Sequence, residues 1–431
     1  MNIAVVGLWH LGTVTAGCLA AAGHKVIGID EDAGLVSALQ HSTGVPVAEP
    51  GLEEMLRDGI RAGHLRFTTD RAAAATCDAV WIAHDTPVDE NDAADVDFVL
   101  DRAASMLPYL RDGALLIVSS QMPVGSMARL EKLHSQHGGG KRVEFVYSPE
   151  NLRLGKALEV FRNPDRVIVG VRPGAARDKI AAIWAPFTDR LIWMSVESAE
   201  MTKHALNAFL AASVAFINEI AAICEQTGAD AMEVEQGLKS DARIGPGAYL
   251  HAGGAFSGGT LARDVEFLRA MAERNRVPAA LIRSIKESND LHKNWIARRL
   301  SEQLGGVRGR LIAVLGLTYK PGTDTLRRSA AVEVCRRLAG EGATIQAYDP
   351  AVRIVPADLP IRSAGSAREA LSGADAAVIA TPWPEFATLP ADDFLAMRTR
   401  IVIDPMRHLE RSLAQTPITY LSIGRGNVAD R

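Results

Sequence analysis

Short continuous apolar runs recur along the chain, each followed by a turn and then a helical stretch. Asn2-Ile3-Ala4-Val5-Val6-Gly7 is the first. A run that is apolar on both faces reads as a buried parallel strand. Residues 7–12 read as a tight turn, 13–22 as a small-residue helix stopped by Gly23, and 25–29 as a second buried strand closing on Asp30. Further strands are expected at 79–83, 114–119, 143–147, 166–171 and 191–194. A helical pattern then runs from about 198 to 227 and would span roughly 45 Å at 1.5 Å per residue. Its Ala, Leu and Ile content predicts burial on more than one face. A shorter helical stretch follows at 231–238, and more helices up to about 302. After Arg310 the opening grammar returns: strand 311–316, loop 317–324, helix 330–339, and strand 344–348 ending on Asp349. Residues 375–382 echo 78–87. The pattern therefore predicts an α/β protein with two Rossmann-like doubly wound domains, 1–197 and 306–431, joined by a long central helix and a helical middle domain, 198–305.

Composition narrows the class. A chain of 431 residues calls for two or three domains, and 48% apolar with 23% charged residues is ordinary for a soluble globular protein. A net charge of −4 makes no electrostatic case for nucleic acid or an anionic membrane. No run of 18 apolar residues occurs and the chain opens directly on a strand, so neither a membrane span nor a signal peptide is expected. Cys18, Cys77, Cys224 and Cys335 are scattered, which suits buried thiols in a reducing, cytoplasmic setting. His134 and His137 lack a third ligand nearby in sequence, so no metal site is expected.

Strand, turn, helix, strand and acid form the dinucleotide-binding unit. The helix N-terminus receives a pyrophosphate, and Asp30 accepts from a ribose 2′-hydroxyl, which favours NAD over NADP. The turn reads Gly7-Leu8-Trp9-His10-Leu11-Gly12, with Trp9 where a second glycine usually lies. The alternative is a Rossmann-like fold without its cofactor. Strand ends line the ligand crevice in such sheets, which singles out Asp85-Thr86-Pro87, Ser119 to Pro123 with Gln121, and Ser148-Pro149-Glu150-Asn151. Glu150 reads equally as a helix N-terminal carboxylate. Lys203, Asn207 and Asn218 share one face of the long helix. A buried Lys needs a partner, so these residues suit a ligand or catalysis; a snorkelling Lys is the alternative. Gly253 to Asp264, with four glycines in seven positions, reads as a substrate-facing loop or a plain surface loop, followed by a helical pattern at 265–271. The second half lacks a glycine fingerprint, and its first loop carries Lys320, Asp324 and Arg327, which suit a phosphorylated ligand.

Together these residues resemble the UDP-glucose/GDP-mannose dehydrogenase family of nucleotide-sugar dehydrogenases over essentially the whole chain. The markers are Gly7…Gly12 with Asp30, Thr86-Pro87, Ser148 to Arg153 with Pro164-Asp165-Arg166, Lys203 with Asn207 to Ala211 and Asn218-Glu219, Arg243-Ile244-Gly245, and Tyr319-Lys320-Pro321 with Thr323-Asp324. The resemblance implies oxidation of the C6 hydroxyl of a UDP- or GDP-linked sugar, for polysaccharide synthesis, by two NAD through an aldehyde. It implies that Lys203 and Asn207 hold the reacting oxygen, that Asp264 moves a proton through water, and that Glu150 lies near the reacting carbon. Leu152, Arg153, Arg243, Phe256, Gly258, Lys320 and Arg327 would line the substrate. Gly7, Trp9, His10, Leu11, Gly12, Asp30, Thr86, Pro87, Gln121 and Lys320 would line NAD. It also implies a homodimer through the central helical domain, with Arg243 reaching the neighbouring site. Thr260 stands where the family carries its nucleophilic cysteine, Arg263 where it carries a lysine, and Gln121 where Thr is common. A hydroxyl cannot form the thiohemiacetal and thioester of the second oxidation, so the expected reaction stops or slows after the aldehyde. The alternative from another class is a non-catalytic nucleotide-sugar or NAD-binding protein of this fold.

Overall fold

The computed structural model describes residues 1–47, 49–89, 94–137, 140–150, 152–256 and 259–426, the side chain of His137 excepted. The chain forms two compact units, Met1–Leu206 and Asn207–Arg431. The division falls inside a continuous helix, Val196–Thr227.

The first unit holds β1 (Asn2–Val6), β2 (Lys25–Ile29), β3 (Leu65–Thr68), β4 (Ala79–Ile82), β5 (Ala114–Val118), β6 (Val143–Tyr147), β7 (Val167–Val171) and β8 (Leu191–Met194). They form one sheet in the order β3-β2-β1-β4-β5-β6-β7-β8. Every pairing is parallel except β6 with β7. The period of two along a strand decides the core: Ile3 and Val5 enter one apolar layer, Ala4 and Val6 the other. The second unit repeats the plan with β9 (Leu311–Leu315), β10 (Thr344–Tyr348), β11 (Arg362–Ser363), β12 (Ala376–Ile379), β13 (Ile401–Ile403) and β14 (Thr419–Leu421), in the order β11-β10-β9-β12-β13-β14. Ile312 and Val314 feed one layer, Ala313 and Leu315 the other. Both sheets thus reverse direction beside their first strand, where a doubly wound fold opens its ligand crevice.

The strands expected from apolar runs form within those runs, while β11, β13 and β14 were not singled out. Strand β3 escapes that reading because Leu65-Arg66-Phe67-Thr68 alternates, as an edge strand with one wet face does. Two helices also begin earlier than their apolar patterns. The first starts at His10 rather than 13, since Gly7 alone, at φ +89°, makes the turn. The helix after the glycine loop is Thr260–Arg274, so Asp264 lies within it, fully buried, rather than in the loop.

The long helix is 32 residues and, by length and composition alone, apolar enough to cross a membrane. It nonetheless buries Glu200, Lys203, His204, Asn207 and Asn218. Glu200 accepts from the amides of Gly125 and Met127 at 2.8 and 2.9 Å, anchoring the start of the helix Ser126–His137. Burial raises its pKa, and the two amides oppose that rise.

In each unit the acid ending the second strand ties down the loop after the first. Asp30 accepts from Leu8 N–H at 2.7 Å. A single oxygen of Asp349 accepts from Leu317 N–H (2.6 Å), Thr318 N–H (3.0 Å), Thr318 Oγ1 (3.2 Å) and Trp383 Nε1 (3.0 Å). Asp349→Ala leaves these buried donors without an acceptor. We expect it to destabilise the protein by about 2–4 kcal/mol, read as a lower denaturation midpoint. An unchanged midpoint would mean that the loop does not depend on this carboxylate.

Candidate active site

The residues of the first unit fit a dinucleotide. Gly12 packs so tightly under the turn that an added Cβ would lie 1.7 Å from the carbonyl oxygen of Gly7, and one on Gly7 would strike the ring of His84. Such a cradle brings bare main chain to a helix N-terminus, as a pyrophosphate requires. Leu8 and Leu11 are buried beneath it. Trp9 does not block it at the backbone: its conformation is extended, φ −75° and ψ −153°, where no glycine is needed. Its side chain is 51% exposed. A cleft of about 580 Å³ opens here, lined by Gly7, Trp9, Asp30, His84, Pro87 and Phe98. Thr86 donates from Oγ1 to the carbonyl oxygen of Gln121 at 2.6 Å, so two buried residues of the β4 and β5 ends hold each other. A larger cleft, about 1100 Å³, lies beside Cys18, Met55, Lys156 and Phe187, away from the strand ends.

Sequence reading did not single out Glu49. Its buried carboxylate accepts from Gly155 and Ala157 N–H at 2.8 and 2.7 Å and meets His10 Nε2 at 3.0 Å. It therefore joins the cofactor turn to the segment that follows Leu152 and Arg153. Glu49-Pro50-Gly51, an acid before a turn pair, was the available signal.

Glu150 is not a helix cap. It sits past β6, accepting from Leu152 N–H at 2.5 Å. The buried Lys203 donates to its main-chain oxygen and lies 3.6 Å from its carboxylate. Lys203 thus has the partner that burial demands and does not snorkel. Leu152 packs against the core, and Arg153 is exposed.

Within the second unit, Asn207 donates to the carboxylate of Asp264, both residues buried. The glycine loop is not a free surface loop. Asn218 accepts from Gly253 N–H at 3.0 Å, and His292 Nε2 contacts Gly253 O at 2.8 Å. The buried Asn289 both accepts from Phe256 N–H (2.9 Å) and donates to Phe256 O (2.8 Å). Asn289 and His292 were missed because neither interrupts an apolar pattern. Burial lowers the pKa of His292, and its bond to the carbonyl of Gly253 opposes that fall. Gly258 lies outside the described residues. Gly259 has φ +118°, and its Cα faces the Arg328 guanidinium, 2.9 Å from where a Cβ would be. Arg328, not the exposed Arg327, is therefore the arginine brought to this loop. Thr260 is exposed on the first turn of its helix. Arg243 is a surface residue paired with Asp241 at 2.7 Å. Lys320 is half-buried, its carbonyl accepting from Thr318 and Thr323. A cleft of about 420 Å³ lies past the ends of β12, β13 and β14, with Gly254, Ala255, Lys293, Trp295, Arg337 and Met406 among its walls.

None of the four cysteines is among Lys203, Glu150, Asn207, Asp264 or the residues of the glycine loop. All are buried. Burial pushes Cys18 and Cys335 up to about 12 and raises Cys77 and Cys224, away from the thiolate form.

A glycine cradle with an acid at the end of the second strand defines an NAD-binding Rossmann protein. The chain belongs to the UDP-glucose/GDP-mannose dehydrogenase family: the family's NAD-binding domain matches residues 1–188, its central domain 197–291 and its UDP-binding domain 313–411. The cofactor is NAD. Over 439 aligned residues the chain is 36% identical to a UDP-glucose 6-dehydrogenase of Rhizobium meliloti (strain 1021), covering 99% of this chain and all of the relative. A UDP-glucose dehydrogenase structure from Pyrobaculum islandicum superimposes with TM-score 0.89 at 29% identity, covering 99% of this chain and 98% of the other. A UDP-D-ManNAc dehydrogenase structure from Pyrococcus horikoshii gives TM-score 0.87 at 26% identity, covering 99% and 100%.

The loop's rigidity is testable. Asn289→Ala removes both partners of Phe256, and hydrogen exchange at the Phe256 amide is expected to accelerate at least about tenfold. Unchanged exchange would show that Asn289 does not hold the loop.

Proposed function

We propose that the protein oxidises the C6 hydroxyl of a UDP- or GDP-linked sugar in the cytoplasm and stops or slows at the aldehyde. The observation that carries this reading is a proton-transfer set kept intact beside a loop without a thiol. Lys203 and Asn207 lie one turn apart on one helix, and Asn207 is bonded to Asp264. NAD, when bound, accepts the hydride from the carbinol carbon. Lys203 and Asn207 donate to the reacting oxygen and stabilise the negative charge that grows on it. The hydroxyl proton leaves through water to Asp264, so loss of hydride and proton gives the aldehyde. Glu150 fixes Lys203 and faces the reacting carbon. Leu152, Arg153, Phe256, Gly258, Lys320 and Arg327 contact the sugar nucleotide. The cleft past β12 to β14 suits the nucleotide, given the match to a UDP-binding domain.

Going further requires a nucleophile on the aldehyde. Thr260 is a neutral hydroxyl, far harder to deprotonate than a thiol, and it cannot form the thiohemiacetal and thioester of a covalent second oxidation. Water can add to give the hydrate, whose oxidation is the slow route to a carboxylate. With a sugar nucleotide turned over, wild type is expected to form one NADH per substrate in the fast phase. Thr260→Cys should add a second equivalent. Two equivalents from wild type at one rate would reject the halt at Thr260.

The unit of function is a homodimer through the central helical segment. Phe209, Phe216 and Ile223, seven residues apart on the long helix, are 69%, 50% and 57% exposed. An apolar stripe of this kind supports burial against a second copy. Exposed Arg243 would exchange its Asp241 partner for the neighbouring subunit's site. Phe209→Glu with Phe216→Glu is expected to give monomers by light scattering; a persistent dimer would place the interface elsewhere.

A further inference from the structure

The NAD cleft carries a second acid whose role differs from that of Asp30. Asp30 is committed to the loop: one carboxylate oxygen accepts from Leu8 N–H at 2.7 Å, the other from Asp32 N–H at 3.1 Å. Asp32 caps the helix Ala33–Gln40, accepting from Gly34 and Leu35 N–H at 2.8 and 3.0 Å. Glu31, between them, makes neither kind of bond. Its Oε2 instead takes two arginines, Arg71 at 3.4 Å and Arg102 in closer contact. Arg102 also lies 5.1 Å from the Phe98 ring centre, on the wall of the cleft. It is the one arginine or lysine among the described residues lining that cleft. Arg71 comes from the segment after β3, and Arg102 from the helix Val96–Met106. Two cations from separate elements thus converge on one oxygen, directly after the residue that meets the ribose.

This position matters for cofactor choice. A 2′-phosphate occupies the space beside the ribose 2′-oxygen, and dinucleotide-binding folds that accept it place an arginine there. A guanidinium recognises phosphate by paired hydrogen bonds and charge. The chain already has two such groups in place. We propose that Glu31 is the residue that makes the cleft refuse NADP, by holding Arg71 and Arg102 and adding its own negative charge where the phosphate would sit. Asp30 selects the 2′-hydroxyl, and Glu31 keeps the arginines from the alternative ligand. The proposal rests on NAD occupying this cleft.

The test is direct binding of NADH and NADPH, by calorimetry, to the full-length protein. Glu31→Gln keeps the side-chain volume and removes the charge. NADPH affinity is expected to rise at least about tenfold, with NADH affinity within about twofold of wild type. The NADPH gain should shrink as salt is raised, since it depends on exposed charges. Adding Arg71→Ala and Arg102→Ala to Glu31→Gln should return NADPH affinity to near the wild-type value. If the gain survives loss of both arginines, removal of repulsion alone explains it, and the arginine-holding role is overturned. Unchanged NADPH binding by Glu31→Gln, or a parallel change for both cofactors, also overturns it. Wild type that binds neither cofactor would instead remove the NAD reading of the cleft, and this proposal with it.

Discussion

A helix rich in Ala, Leu and Ile can bury an ammonium and two amides only when each finds a partner, because an unpaired buried polar group costs more than its neighbours return. Along the long helix each of these three side chains makes at least one such bond. Lys203 finds Glu150 past the end of β6, Asn207 finds Asp264, and Asn218 finds the amide of Gly253. Each bond fixes a segment that has no regular structure of its own or that begins a helix. The helix thus holds the segment at Glu150 within the first unit, and Asp264 and Gly253 within the second.

The same economy appears in the two Rossmann-like units. Both end their second strand on an aspartate that ties the first loop, and both place a glycine with positive φ at the first turn, Gly7 and Gly316. They differ in what the acid has left to give. Four donors crowd one oxygen of Asp349, whereas Asp30 spreads two donors over two oxygens beside an open cleft. The first half matches the family's NAD-binding domain and the second its UDP-binding domain.

Much of this was legible before any coordinates. Continuous apolar runs marked the buried strands, and the strand–turn–helix–acid order marked the NAD cradle. Lys203 and Asn207 stood out because polar residues interrupt an apolar pattern there. Residues that act within polar surroundings left no such trace. Glu49, Asn289 and His292 bind main-chain groups far away in sequence, and only folding shows which ones. The alternating edge strand β3 and the early start of the Thr260 helix were hidden for related reasons: a half-wet strand and a polar first turn carry weak apolar signals. Trp9 looked like damage to the fingerprint, yet its extended backbone leaves the cradle open.

The proposed halt at the aldehyde rests on Thr260 offering a hydroxyl and no thiol. The most direct measurement is a mass spectrum of the product formed early in turnover of a panel of UDP- and GDP-sugars with NAD. The expected product is an aldehyde, lighter than its substrate by two hydrogens, or that aldehyde plus one water as its hydrate. A carboxylate as the main early product, the aldehyde plus one oxygen, would contradict the proposal and require another group to act as the nucleophile.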